Sequence, residues 1–343
     1  METLLTRSEF REGVFKRDNY KCIICSKPAK DAHHIIERRL WEDEGYYISN
    51  GVSLCEDCHM KAEQTILSCE ELRVAAKIDK IILPNTFYID EKYDKWGNVF
   101  LPNRLRVKGE LFFGGSVQKI LKEGGVLDQF TKYVKYPKTH HLPWSPGITE
   151  DDRVMSYENL NKYFDGKEVV VTEKVDGEGM TLYPDYIHAR SIDGRNHVSR
   201  NWVKNFHAKI KYDIPEGWRI CGENLYAQHS IYYSNLPSYF LVFSIFNEKN
   251  ICLSFIEMVE YCKLLGLSWV QPLYIGEYHQ ELVKNIYTGK SLYSGEQEGY
   301  VMRLSSEMNW SQYKYGLAKY VRKDHVKTSH NWMYKTIVKN KLS

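Results

Sequence analysis

Residues 171–179, VTEKVDGEG, set a lysine at the end of an apolar run. Val169, Val170 and Val171 are β-branched and favour a strand, and Gly177 and Gly179 break it soon after. An alkyl ammonium with a pKa of about 10.4 is no nucleophile at neutral pH. For Lys174 to attack an electrophile, burial or neighbouring cations must favour its neutral form. A second constellation lies upstream, as Cys22-x-x-Cys25 and Cys55-x-x-Cys58 with 29 residues between the pairs. Each short turn delivers two thiolates to one side, and tetrahedral zinc takes four soft ligands. The alternative is four buried thiols. Between the pairs run DAHHIIE (31–37) and ISNGVSLC (48–55), and His59 follows Cys58 directly.

The elements that must position these residues divide the chain. At 343 residues it is long enough for about two domains. The spacing predicts a first domain over 1–80: a helix-like start, a cysteine knuckle, AHHII as a strand, the second knuckle, then a helix in EELRVAAKIDKII. Residues 81–132 read as a connector with one hairpin, at KWGN, and one short helix, SVQKILKEGG, stopped by its glycines. Over 133–343, short apolar strands alternate with turns. One clear helix lies at 255–265, carrying Ile256, Val259 and Leu265, and His140 and His141 fall in a turn. That is an α+β pattern, unlike the regular alternation of a doubly wound sheet.

Composition narrows the setting. No run of about 18 apolar residues and no apolar leader is present, which predicts a soluble, cytoplasmic protein without membrane contact. Cys69, Cys221, Cys252 and Cys262 are scattered and read as small core residues, so no disulfide framework is expected. Residues 1–75 hold 11 Lys/Arg against 14 Asp/Glu, whereas 307–343 hold 8 against 2. A basic C-terminal stretch fits a polyanion held nearby, or a solvated helix face.

The order of the first constellation resembles the HNH endonuclease family over roughly residues 10–65. The resemblance aligns His34 with the general base, His33 and His59 with metal-ligand positions, and Asn50 with the central asparagine that fixes the base's ring. A histidine at the first metal position suits Mn²⁺, Ni²⁺ or Zn²⁺ better than Mg²⁺. The domain's mild acidity is poor for gripping phosphates.

EKVDGE fits the K-x-D-G signature of nucleotidyltransferases that form a lysyl–nucleotide intermediate. Companions follow in order: CGENLYA around Glu223, LVFSIF around Phe243, EGYVMR around Glu298 and AKYVR around Lys319. Together with HLPWSPG, GENLYAQHSIYY and VKTSHNW, they resemble ATP-dependent RNA ligases of the broad RNA ligase 2 branch over about 133–343. The resemblance implies that Lys174 attacks the α-phosphorus of ATP. It gives Lys319 to the α-phosphate, Glu298 and Glu223 to ribose or metal, Phe243 to the adenine face and Glu173 to the adenine edge. Arg190, with Arg195 as the alternative, would grip sugar or phosphate. Asp176 would bind metal directly or through water, and Gly177 would let the backbone approach the nucleotide. Two departures stand out: Phe243-Ser244 replaces the usual aromatic–aspartate pair, and the second cation after Lys319 is not evident. Only 20 residues follow Lys323, too few for the β-barrel domain of DNA ligases and capping enzymes.

These readings predict an α+β protein with an N-terminal zinc-stapled ββα-metal domain and an antiparallel-sheet-rich nucleotidyltransferase domain. They predict an ATP-dependent polynucleotide ligase that uses ATP, Mg²⁺ or Mn²⁺ and structural Zn²⁺. Its partner is nucleic acid, as RNA ends or nicks or as DNA, which the HNH-type domain would cut or recognise. The competing readings are a metal-dependent nuclease with a nucleotide-sensing ligase-like half, and a non-catalytic zinc-containing end-binding protein.

Overall fold

Residues 2–101, 105–192, 197–323 and 337–343 are described by a computed structural model. The chain is α+β and divides into two compact units, Met1–Lys132 and Tyr133–Ser343.

In the first unit, helix α1 (Arg7–Arg17) opens on a capping box in which Thr6 and Glu9 satisfy each other's backbone amides. Strands β1 (Asp31–His34) and β2 (Gly51–Leu54) pair antiparallel, with His33 opposite Val52 and His34 opposite Gly51. Helix α2 (Glu56–Glu63) follows directly after Cys55, so β1 carries His33 and His34 and α2 carries Cys58 and His59, while Cys22 and Cys25 lie in the turn before β1 and Asn50 in a 3-10 turn before β2. Helix α3 (Cys69–Ala75) is shorter than EELRVAAKIDKII implied, because Lys77 turns into the left-handed region at φ 54°. Strands β3 (Val99–Phe100) and β4 (Arg106–Val107) and helix α4 (Gly115–Glu123) complete the unit, and α4 ends at Gly124 as its glycines imply.

The segment after residue 80 does more than connect. Phe87, Tyr93 and Val99 pack on the core formed by Ile35, Ile36, Val52 and Leu54. The turn at KWGN is present, organised by the buried Asp94, which accepts from the amides of Trp96 (2.9 Å) and Asn98 (3.0 Å). Asp94 also receives the Arg106 guanidinium at 3.0 Å, and Trp96 Nε1 donates to Glu63 O at 2.8 Å.

The second unit is built on two five-stranded sheets. In chain order its elements are β5 (His140–His141), α5 (Tyr157–Phe164), β6 (Glu168–Lys174), β7 (Glu178–Leu182), β8 (Ile187–Ala189), α6 (Asn201–Ile210) and β9 (Arg219–Asn224). They continue as β10 (Phe240–Phe246), α7 (Phe255–Leu264), β11 (Ser268–Trp269), β12 (Pro272–Glu277), α8 (Gln280–Lys284), β13 (Gly299–Leu304), α9 (Trp310–Tyr313) and β14 (Leu317–Val321). One sheet runs β12-β6-β13-β14-β5, the other β11-β10-β9-β7-β8. Strand β6 is buried on both faces, so its apolar residues run on without polar alternation. Val169 and Val171 pack with Leu160 and Phe164 of α5, while Val170 joins the core of the other sheet. Alternation along the strand therefore sends Thr172 and Lys174 the way of Val170, towards the second sheet.

Two expectations are corrected here. His140 and His141 form a buried strand, β5, paired parallel to β14, rather than a turn. Helix α7 exists, but its buried stripe is Phe255, Met258 and Cys262; Ile256 is 64 % exposed. Both Ile256 and Met258 fit a period of 3.6, and only the position of the sheet decides which face turns inward.

Candidate active site

Lys174 leaves β6 at the mouth of a cleft between the two sheets, about 660 Å³ with its opening included. Strands β6, β13 and β14 form one wall, with Lys174, Val301 and Lys319. Strands β9 and β10 form the other, with Glu223 and Phe243. The five motif centres on Lys174, Glu223, Phe243, Glu298 and Lys319 thus converge, although they span some 150 residues of sequence.

The Lys174 ammonium lies 2.6 Å from Glu298 Oε2. Glu298 precedes Gly299, which pairs with Lys174; any side chain at Gly299 would collide with the backbone of Tyr320. Burial alone would push the Lys174 pKa down, but the charges of Glu298 and Glu223 outweigh it and the net shift is upward. In the resting cleft Lys174 is therefore an ammonium. Its activation requires something that draws the carboxylates away, which burial does not do. Burial pushes the Glu223 carboxyl up to about 8, with Lys174 opposing and Glu298 adding to the rise. Lys319 is shifted down, first by burial and then by Lys174, against the pull of Asp152 at 3.7 Å.

The other predicted residues fall in distinct places. Phe243 lines the cleft, its ring 5.2 Å from that of Tyr136. Ser244, standing where an aspartate is usual, shares a hydroxyl chain with Tyr313 (2.7 Å), which in turn meets Tyr136 (2.5 Å). Arg190 is exposed and lines an adjoining cleft with Lys138, Asp152 and Arg153. Glu173 is buried; its Oε2 accepts from the Leu292 amide at 2.8 Å, while Oε1 has no hydrogen-bond partner. Asp176 turns one oxygen onto the amides of Ser230 (2.7 Å) and Ile231 (2.8 Å), fastening the loop after β9. Gly177 runs against that strand: a Cβ there would lie 2.7 Å from Asn224 O and 2.9 Å from Glu223 Cγ. Arg322, three residues after Lys319, pairs with Glu296 at 2.9 Å. Arg195 and the VKTSHNW segment (326–332) lie outside the described residues.

Asp152 was not singled out in the sequence. It touches both Lys319 and, at 3.3 Å, His141 Nε2. His141 is fixed in turn by Ser145 at 2.9 Å. No local pattern marks this group, because the parallel β5–β14 pairing brings it together across the chain.

In the first unit, the sulfurs of Cys22, Cys25, Cys55 and Cys58 lie within 4.8 Å of one another. Cys25–Cys55 is 3.5 Å and Cys58–Cys25 is 3.8 Å. Zinc–sulfur bonds of about 2.3 Å in a tetrahedron give sulfur edges of about 3.8 Å, so the donor set fits the ion.

His33, His59 and Glu63 form a second cluster of metal-capable atoms. Glu63 Oε1 is 3.4 Å from His33 Nδ1 and 3.3 Å from His59 Nε2. Burial, with Lys95 adding to it, lowers His33 to about 3 and His34 to about 4, so both rings are neutral with lone pairs to offer. Glu63 is held ionised against its burial by the two histidines and Lys95. The His34 ring stacks on Phe10 at 4.5 Å, and its Nε2 is buried without a hydrogen-bond partner. Asn50 does not reach that ring. Its side chain accepts from Ile36 N (2.9 Å) and donates to Ile36 O (3.0 Å), so it fixes the chain just beyond His34 instead. Glu63 did carry a sequence signal, lying one helical turn after His59 on α2.

Residues 167–321 match the family model for RNA ligase, and residues 22–65 match that for HNH endonuclease. An RNA ligase domain and an HNH domain thus share this chain. No curated protein matches it. Among solved structures, a Naegleria gruberi RNA ligase mutant with ATP and Mn is 17% identical, with a TM-score of 0.39, covering 57% of this chain and 58% of its own. The same ligase with PPi is 17% identical at a TM-score of 0.36, covering 57% and 62%. The chain therefore spans less than two thirds of the ligases it resembles. No helix among the described residues is long and apolar enough to cross a membrane.

Proposed function

We propose that this chain is an ATP-dependent polynucleotide ligase acting on RNA ends, with an HNH domain that cuts nucleic acid. The observation that carries the ligase reading is the Lys174 ammonium, 2.6 Å from Glu298 in a cleft that also presents Lys319 and Phe243. The neutral Lys174 amine attacks the α-phosphorus of ATP; the bond to the β-phosphate oxygen breaks and pyrophosphate leaves. The AMP then passes to a 5′-phosphate end, and a 3′-hydroxyl attacks that activated phosphate, expelling AMP. Such transfers rest on positioning and charge neutralisation. Phe243 offers its face to adenine, and Lys319 with Arg190 meets phosphate. Glu298 and Glu223 are the residues that would hold Mg²⁺ or Mn²⁺. That ion supplies charge neutralisation for the phosphate and for the carboxylates around Lys174.

In the first unit, Cys22, Cys25, Cys55 and Cys58 would hold a structural zinc, and His33, His59 and Glu63 a divalent ion. The neutral His34, with its unpartnered Nε2, favours a general base over an idle ring. Arg7, Arg11 and Arg38 line the same cleft, beside Asp31 and Glu37, and are the cations that would meet a phosphate there.

Incubation with α-labelled ATP and Mg²⁺ tests the ligase half. Label that stays on the denatured protein, resists alkali and is released by acid, as a phosphoramidate is, is expected from the wild type. Lys174→Ala should abolish it, and so should Lys174→Arg, whose guanidinium stays protonated. Covalent label persisting in either variant overturns the assignment.

A further inference from the structure

The His33–His59–Glu63 cluster is met by a cation from outside the segment that matches the HNH family. Lys95, 5 % exposed, places Nζ 3.1 Å from Glu63 Oε1 and 3.4 Å from Glu37 Oε2, and donates to His34 O at 3.1 Å. Glu63 Oε1 is the same oxygen that faces both imidazoles. The placement is built in. Asp94 fixes the turn that carries Lys95, and the Glu37 amide donates to Lys95 O at 2.9 Å.

A divalent ion taken by these three donors would share its carboxylate oxygen with an ammonium. Two effects then oppose each other. Lys95 orients Glu63 before the ion arrives, a benefit of about one hydrogen bond, or roughly tenfold in an equilibrium. It also repels the ion. At an effective dielectric near 20, a unit charge a few ångströms from a double charge changes an equilibrium by well over a hundredfold before screening. Repulsion wins. We propose that Lys95 is an internal competitor for the divalent ion, occupying Glu63 and setting the metal concentration at which the HNH centre loads. This rests on reading His33, His59 and Glu63 as a metal site. The role fits a chain in which a permanently armed nuclease would work against an end-joining half.

Free Mn²⁺ measured by electron paramagnetic resonance during titration of the full-length, zinc-loaded protein tests the proposal without relying on cleavage. Mn²⁺ prefers oxygen and nitrogen donors and leaves the thiolate cluster alone. The sites lost in His59→Ala, made in each Lys95 background, define the HNH centre apart from any ligase-cleft site. Lys95→Met should bind Mn²⁺ there at least about tenfold more tightly, while Lys95→Arg, which keeps the charge, should stay near the wild type. Glu37→Gln, which removes a carboxylate shared by Lys95, should weaken binding, and it decides the matter should Lys95→Met lose its zinc. Unchanged or weaker binding in zinc-retaining Lys95→Met overturns the competitor role, as does tighter binding in Glu37→Gln. If no background contains a Mn²⁺ site that His59→Ala removes, the metal-site reading itself falls, and the inference with it.

Discussion

Lys174 is held as an ammonium by the carboxylates around it. Its ammonium sits on Glu298, and the net shift of its pKa is upward. The neutral fraction below that pKa rises about tenfold per pH unit. Single-turnover labelling of Lys174 at fixed ATP and Mg²⁺ should therefore speed up steadily from pH 6.5 to 8.5. A flat profile would mean that the carboxylates do not control the nucleophile. Glu223 gives a stability counterpart. Its folded-state pKa of about 8 lies above the ordinary 4.5, so the folded protein binds this proton more tightly than the unfolded chain. The stabilisation is complete below about pH 4.5 and lost as pH rises through 8. Glu223→Gln should flatten the fall in melting temperature between pH 5 and 8.5 measured without metal. An undiminished fall would assign the loss to other groups. That Lys174, Glu223, Glu298 and Lys319 come together was legible in sequence because each sits in a short signature on or beside a strand. Asp152 and Lys95 were not, since each reaches its partner only through pairing or packing of distant segments.

At the scale of elements, what was legible followed local rules. The valine run of β6, the glycine stop of α4 and each Cys-x-x-Cys knuckle declare themselves within a dozen residues. What depended on a partner did not. Strand β5 is two residues long and exists because β14 accepts it, so HH read as a turn. On α7, Val259 and Leu265 pack against the core as expected, and only Ile256 was misplaced, because two stripes of the helix are apolar. The zinc knuckles bear the element-level prediction. Binding of structural zinc is worth about 10–16 kcal/mol in small domains, and Cys22, Cys55 and Cys58 belong to the same buried cluster as Ile35, Ile36, Val52 and Leu54. Cys22→Ser or Cys58→Ser should unfold the first unit and release its zinc, measured by metal analysis after gel filtration. Labelling of Lys174 should largely survive, because its cleft is built entirely within residues 133–343. A metal-free but fully folded first unit would contradict the zinc assignment.

At the scale of the molecule, a segment that matches RNA ligase and one that matches HNH endonuclease share one chain, and the HNH half is the one whose proposed activity most needs testing. His34 is neutral, stacked on Phe10 and fixed by a backbone that Asn50 clamps. Its neighbours His33, His59 and Glu63 present metal donors on one side of the cleft, and Arg7, Arg11 and Arg38 line it. Base and metal donors around one phosphate is the arrangement that hydrolysis of a phosphodiester needs. His34→Ala should then remove divalent-dependent cleavage of DNA or RNA, since loss of a general base costs about 10²–10⁴-fold. The same variant should label Lys174 at the wild-type rate, because no group of the ligase cleft is touched. Running Mg²⁺, Mn²⁺, Ni²⁺ and Zn²⁺ in parallel tests the donor set as well: two imidazoles and one carboxylate favour the later ions over Mg²⁺. Cleavage that survives His34→Ala would move the base elsewhere. If no ion supports cutting above the variant's background, the first unit recognises nucleic acid without breaking it, and the chemistry of the chain belongs to Lys174.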